Sequence, residues 1–321
     1  MPYYSKGITE DFRLACLKQN TQLMEKLVGS TDRKPVDPTA IQMCPDCFNI
    51  IQRIPINSTV NEKDVEEVLE LVPLRDKPLH VLTNLDTKFT TLSYFLRNVE
   101  VLKYKKGKDY MEDHKNFHSI QRGNFPKEKL LTEGKTKILT GRDLAAYVHT
   151  DDPIEQWTRV TSELLALGAP LNLEVPKFER FVNYGYPHLA GLLGHTLLRA
   201  GHLSFASKWT HFVMRPEEAS YHFNLGFLPQ CYPEGSPTHP SRPAMHSFAA
   251  FAMSRIILKI FQNNFILPSG NSLKHEVELF RDNIGYGRVW AGVHYSSDHT
   301  ESEGRAHEVA DKILDYYNIP V

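Results

Sequence analysis

The sequence predicts an all-α protein. Three observations lead there. Apolar residues recur at helical spacing along most of the chain, as with Phe12, Cys16, Leu23 and Leu27 in the segment from Ile8 to Val28. Loops rich in proline and glycine separate such segments. No stretch shows the apolar–polar alternation of a half-buried strand, and there are no repeats or low-complexity tracts.

The elements follow in order. Ile8 to Val28 is an amphipathic helix, and Gly29 fits its end. Pro35, Pro38, Pro45 and Pro55 then break the chain into a loop-rich segment. Glu62 to Leu71 is a short acidic helix with Asn61 as its cap. Thr83 to Val99 reads as another helix. From Asp109 onward, helices are expected at Tyr110 to Gln121, Arg142 to His149, Pro153 to Leu167, Pro187 to Met214, Met245 to Asn263, Leu273 to Arg281 and Ser302 to Tyr317. The most apolar runs, Leu189 to Phe205 and Phe248 to Phe265, contain Arg199, Arg255 and Lys259. They read as buried helices and not as membrane spans.

The 321 residues suffice for one large domain or two small ones. A hydrophobic content of 41% and a charged content of 23% are those of a soluble globular protein. With a net charge of −1, nothing points to nucleic acid or an acidic membrane as partner. Four cysteines in a chain this long make no disulfide framework. Cys44 and Cys47 form a CPDC, read as ordinary thiols because neither a thioredoxin-like context nor two further zinc ligands accompany it. No charged-then-apolar leader is seen, so a cytoplasmic or otherwise soluble protein is expected.

Three stretches carry the chemistry. Gly287 to Asp298 reads GRVWAGVHYSSD. If it is helical, His294 and Asp298 share a face, so Asp298 can take the proton on one ring nitrogen and leave the other as ligand or nucleophile. Arg288, nearly two turns back, is an anion clamp for the same pocket. Lys208 to Ala219 reads KWTHFVMRPEEA; Lys208 and Arg215 are seven apart, two turns on one helix face, and Pro216 stops that helix. His239 to Ser247 reads HPSRPAMHS. Pro243 suits the first turn of the helix that follows, and the amides of Ala244, Met245 and His246 are free at its start, as an oxyanion needs. Lys, Arg, His, Arg, His in that order, with a helix N-terminus, describe a site for a tetrahedral oxyanion. Singly, each has a blander reading as surface charge or loop histidine, His239 above all. Trp209 and Trp290 read as core packing, and His211 and His299 stay outside the site.

These stretches resemble the signature segments of the vanadium-dependent haloperoxidases and related acid phosphatases of the type 2 phosphatidic acid phosphatase superfamily. That pattern is K, six residues, RP; then PSGH; then SR, three residues, GxH, three residues, D. Lys208, Arg215, Pro216, His246, Arg288, Gly292, His294 and Asp298 match it in type and spacing. His239, seven before His246, resembles the extra histidine of the bromoperoxidase branch. DYMEDHKNFHSIQRG, GRDLAAYVHTD and LLALGAPLN also look like bacterial bromoperoxidase sequence. The resemblance covers roughly residues 105 to 321. Three positions depart from it: Ala244 replaces the serine of PSGH, Met245 its glycine, and Gly287 the serine before Arg288.

The resemblance implies a helical bundle over residues 81–321 with the site at one end of its core, residues 1–80 being a divergent helical region of the same domain or a separate lobe. It also implies a vanadate cofactor, with His294 bound to the metal, oriented by Asp298. Lys208, Arg215 and Arg288 would neutralise vanadate oxygens, Lys208 also polarising bound peroxide. The Met245 amide would hold an oxygen, and His246 would handle protons. Hydrogen peroxide and halide, bromide by the sign of His239, would be the substrates, with an organic acceptor possible and a homo-oligomer expected. In the phosphatase alternative, His294 is the nucleophile and His246 protonates the leaving group. A third reading keeps the fold and abandons vanadate, motivated by Ala244 and Met245.

Overall fold

The computed structural model describes residues 60–121, 131–149, 153–173, 183–211, 213–237 and 239–319. The helix expected at Ile8 to Val28 and the Cys44–Cys47 pair lie outside them. Eleven α-helices are described: α1 Glu62–Leu71, α2 Thr87–Thr90, α3 His114–Gln121, α4 Gly141–Tyr147, α5 Pro153–Ala166, α6 Tyr186–His211, α7 Pro216–His222, α8 Met245–Ile260, α9 Leu273–Trp290, α10 Ser296–Thr300 and α11 Glu303–Tyr316.

At the centre lies α8, which packs against α6, α9 and α11. Its run from Ser247 to Ser254 is buried all round, which is why small alanines alternate with Phe248, Phe251 and Met253 in a place where three neighbours must approach. Helix α5 covers α6, and α4 covers α9. Among the described residues no helix is long and apolar enough to cross a membrane.

Asn61 caps α1 as expected: its Oδ1 accepts from the Asp64 amide, and Asp64 returns the bond to the Asn61 amide. Val65, Val68 and Leu71 then enter the same apolar core as α8 and α9. Just beyond, Arg75 is fully buried. Its Nε donates to the Trp290 carbonyl, Nη2 donates to that of Pro229, and Nη1 pairs with Asp109.

The structure corrects several expectations. Glu100–Tyr104 (β1) and Thr132–Lys137 (β2) form an antiparallel pair. Strand β2, TEGKTK, is exposed at almost every position, so no alternation could announce it. The segment from Thr83 to Val99 is not one helix. Its backbone groups are drawn away by α9: Asn283 accepts from the Ser93 amide and donates to the Thr91 carbonyl, and Glu276 accepts from the Tyr94 amide. Only α2 and a 3₁₀ turn, Tyr94–Leu96, form there. Helix α3 starts at His114, because Tyr110 pairs in both directions with Gln230. Helix α9 runs on to Trp290, nine residues past its expected end.

Candidate functional site

Four chain segments converge beside the start of α8. The first is the end of α6, which carries Lys208. That residue is fully buried, and its Nζ donates to the carbonyls of Pro240 and Ser241 at 2.8 and 2.7 Å. Arg215 is not on that helix, contrary to the two-turn reading. Helix α6 ends at His211, and Pro216 occupies the first turn of α7. A residue before proline avoids the helical region, so Arg215 is extended (φ −76°, ψ 155°). This swings its side chain into the site, where it is buried.

The third segment, Gly287 to Asp298, is also not one helix. Gly292 has a φ of +87°, in the left-handed region, and ends α9. The Val293 amide closes back on the Arg288 carbonyl and the Gly292 amide on that of Val289. A Cβ on Gly292 would lie 2.8 Å from Nη2 of Arg75, so the turn also needs the missing side chain. His294 therefore sits between two helices, while Asp298 lies in the first turn of α10. Asp298 reaches His294 because its Oδ2 folds back to accept from the Tyr295 amide at 3.2 Å, half of a capping box.

Within this frame the tautomer of His294 is determined by its partners. Arginine only donates, and Nη1 of Arg215 lies 3.0 Å from Nε2, so Nε2 is the acceptor. Nδ1 then carries the proton and gives it to Asp298 Oδ2 at 2.8 Å. Nδ1 of His239 lies 3.0 Å from Nη2 of Arg215 and 3.2 Å from the Pro240 carbonyl, while the His239 carbonyl accepts from Nε of Arg215 at 2.9 Å. His239 thus touches the site through Arg215, with its ring edge-on to Phe205.

Arg288, in the last turn of α9, is buried; its Nη1 donates to the Val148 carbonyl, and its Nε has no partner among the described residues. Gly287 makes this possible. A Cβ there would meet Cγ2 of Val148 at 2.9 Å and the Leu144 carbonyl at 3.1 Å, so a serine would push α4 away from Arg288.

The fourth segment is the start of α8. Ala244 is its N-cap and offers no side-chain bond. Pro243 lies just outside the helix, not in its first turn. The Ala244 amide is not free: it donates to the Asp298 carbonyl at 3.4 Å. Met245, His246 and Ser247 are the first three residues of α8, and their amides as first-turn groups lack intrahelical acceptors. Met245 is half-buried, with its methyl toward Gly201 on α6.

Two residues of the site were not recognised in the sequence. Ser241 donates to Asp298 Oδ2 and lies 3.3 Å from Nδ1 of His294. Arg242 donates through Nε to Asp298 Oδ1 at 3.0 Å, through Nη1 to Glu301 and through Nη2 to Ser297. Both stood as spacer between two histidines. The available signal was an arginine between serine and proline in an otherwise uncharged run, which must find a carboxylate once buried. Trp290 and His299 are core: the indole donates to the Phe89 carbonyl, and His299 pairs with Asp282.

The electrostatics follow from burial. The pKa of His294 is pushed well below 6.5, first by burial and then by the charges of Arg215, Lys208, Arg288 and His246. Burial, Arg215 and Arg288 likewise hold Lys208 well below 10.5, against the pull of Asp298. Burial, Lys208 and Arg215 hold His239 well below 6.5. The pocket thus gathers excess positive charge around one carboxylate already engaged by Arg242, Ser241, His294 and the Tyr295 amide. Such a donor set suits an anion, and the unpartnered Arg288 Nε and the first-turn amides of α8 point the same way.

A pH dependence follows. Between the depressed folded pKa of Lys208 and 10.5, the unfolded chain holds the extra proton, so stability rises with pH. Below 6.5 the same applies to His294. Stability without ligand should therefore fall on acidification across each window, by up to about 1.4 kcal/mol per pH unit for each proton. Urea denaturation across pH measures this. Phosphate, by neutralising the cations, should flatten the slope; an unchanged slope would contradict the electrostatic picture.

No protein-family model matches the sequence. The chain is 27% identical over 285 residues to the vanadium-dependent bromoperoxidase of Corallina officinalis, covering 65% of this chain and 48% of that protein. It is 25% identical over 258 residues to that of Ascophyllum nodosum, covering 59% and 46%. The chain is related to the vanadium-dependent haloperoxidases. It spans about half the length of these curated haloperoxidase relatives. Its fold is similar to that of the homohexameric second vanadate-dependent bromoperoxidase from Ascophyllum nodosum, with a TM-score of 0.76 at 16% identity over 97% of this chain and 76% of that one.

Proposed function

We propose that this chain is a vanadate-dependent haloperoxidase that oxidises halide, bromide by preference, with hydrogen peroxide. The observation that carries the reading is His294: its Nδ1 proton is held by Asp298, and its Nε2, which accepts from Arg215 in this structure, lies in a buried pocket of cations where a metal would take that bond's place. The residues fit the cofactor. Lys208, Arg215 and Arg288 would neutralise its charge, and the Met245 and His246 amides would donate to it. His294 Nε2 would supply the one nitrogen ligand. Vanadate bound there supplies a Lewis acid that activates peroxide toward halide.

The protein's own part is to keep this pocket dry and positive. Asp298 fixes the ring and the tautomer of His294, and Arg242 and Ser241 fix Asp298 in turn. His246, half-buried at the first turn of α8, would handle protons as the anion binds. His239 orients Arg215 on the halide side. The similarity to the bromoperoxidases of Corallina officinalis and Ascophyllum nodosum supports bromide, and the homohexameric assembly of the second Ascophyllum nodosum enzyme supports a homo-oligomer.

Purified protein stripped of oxyanions should consume peroxide in a bromide-dependent way only after orthovanadate is added, with phosphate competing. Phosphate-ester hydrolysis without vanadate, inhibited by vanadate, would instead establish the acid phosphatase reading. The missing hydroxyl at Ala244 gives a graded test. Ala244→Ser should add one hydrogen bond to a charged oxygen, about 1.5–3 kcal/mol, or roughly ten- to a hundredfold in orthovanadate affinity. Met245→Gly should matter less, since the amide donor exists either way. A large gain from Met245→Gly with none from Ala244→Ser would indicate a pocket plugged by the methionine.

A further inference from the structure

The described part of the stretch GRDLAAYVHTD, Gly141 to His149, adjoins Arg288 at its end. Val148 gives its carbonyl to Nη1 of Arg288 at 3.2 Å. The next residue, His149, turns its ring onto Tyr232, with centroids 3.8 Å apart and planes 16° apart. Tyr232 is itself an Arg288 partner: its ring lies 5.2 Å from the guanidinium carbon and its hydroxyl 3.4 Å from Nη1. Both hydrogen bonds of Arg288 that the described residues show thus run to Val148 and Tyr232, and His149 adjoins one and stacks on the other.

His149 is in turn fixed at both nitrogens. Nδ1 lies 2.5 Å from the Tyr104 hydroxyl on β1, and Nε2 lies 2.6 Å from Glu234 Oε1. Burial raises the Tyr104 pKa and keeps that phenol protonated, so it can donate to Nδ1 while Nε2–H serves Glu234. Tyr232 is locked as well, its hydroxyl donating to the Ala145 carbonyl at 2.8 Å. The arrangement spans β1, the end of α4 and the loop after Gln230.

We propose that His149 is a positioning residue for Arg288: held between Tyr104 and Glu234 and stacked on Tyr232, it sets the orientation in which the guanidinium meets an oxyanion. This rests on the reading of the pocket as an oxyanion site. A guanidinium with an unpartnered Nε and one bonded nitrogen would otherwise rotate, and its contribution to an anion depends on direction.

The test uses His149→Ala, His149→Phe and Tyr104→Phe in the full chain. Ligand-free crystal structures of each variant and the wild type locate Arg288, and orthovanadate titration at a temperature where all are folded gives affinity. In His149→Ala, Arg288 should leave the Val148 carbonyl, and the orthovanadate dissociation constant should rise about tenfold. His149→Phe keeps a flat ring on Tyr232 and should fall between alanine and wild type. Tyr104→Phe removes a single hydroxyl, and should weaken binding by about threefold even if the alanine variant does not fold. A lowered urea midpoint with Arg288 unmoved and affinity unchanged would show that the cluster only staples three segments together, and would overturn the proposal. If the wild type takes up no orthovanadate, the functional reading fails, and the position of Arg288 in the ligand-free variants still decides the brace.

Discussion

Replacing Asp298 by alanine is expected to destabilise the protein by about 3–5 kcal/mol. The carboxylate is fully buried and accepts from Nε of Arg242, Oγ of Ser241, Nδ1 of His294 and the Tyr295 amide. Its removal takes from Arg242, itself buried, the carboxylate that its Nε donates to, leaving Glu301 as a carboxylate partner, and unties the first turn of α10. The cost lies in the uncompensated charge more than in the lost pair. Asp298→Ala combined with Arg242→Met should therefore recover part of the loss, a non-additivity that a double-mutant cycle reads directly. Urea denaturation of the wild type, both singles and the double provides the numbers. A single Asp298→Ala variant within about 1 kcal/mol of wild type would mean that the buried network is relaxed by water or by movement of Arg242.

If the proposed function holds, His294→Ala should abolish vanadate-dependent activity while leaving an anion site behind. Lys208 and Arg215 are held by other backbone carbonyls as well, Lys208 by those of Pro240 and Ser241 and Arg215 by those of His239 and Val293, and Arg288 by that of Val148. Phosphate, held by charge, should lose less than about tenfold in affinity. Orthovanadate loses a direct nitrogen ligand and should weaken by more than about a hundredfold, beyond the ten- to hundredfold typical of residues that act one step further from a metal. Calorimetric titration of both anions against wild type and variant separates the two effects. Equal losses for phosphate and orthovanadate would show that His294 acts only as a hydrogen-bonding group, and the phosphatase or binding-protein readings would then gain.

The sequence by itself determined the helical class, since periodicity in α1, α5, α8 and α11 is local and survives any packing. It also proposed the members of a site: Lys208, Arg215, His246, Arg288, His294 and Asp298 stood out because they match the family's motifs in type and spacing. The tertiary structure alone decided how they meet. Two segments that look helical are broken inside the site, by Pro216 before α7 and by the left-handed Gly292 after α9. Those breaks turn Arg215 and His294 inward, and no period in the sequence encodes a turn forced by a neighbour. Likewise, β2 is nearly all polar and forms only because β1 offers it an edge. The supporting residues were hidden for the same reason. Ser241 and Arg242 act on a carboxylate 57 and 56 positions away, and His149 reaches Arg288 through Tyr232. A hydrogen bond between distant segments leaves no local trace, because its geometry exists only once the core has brought the two together.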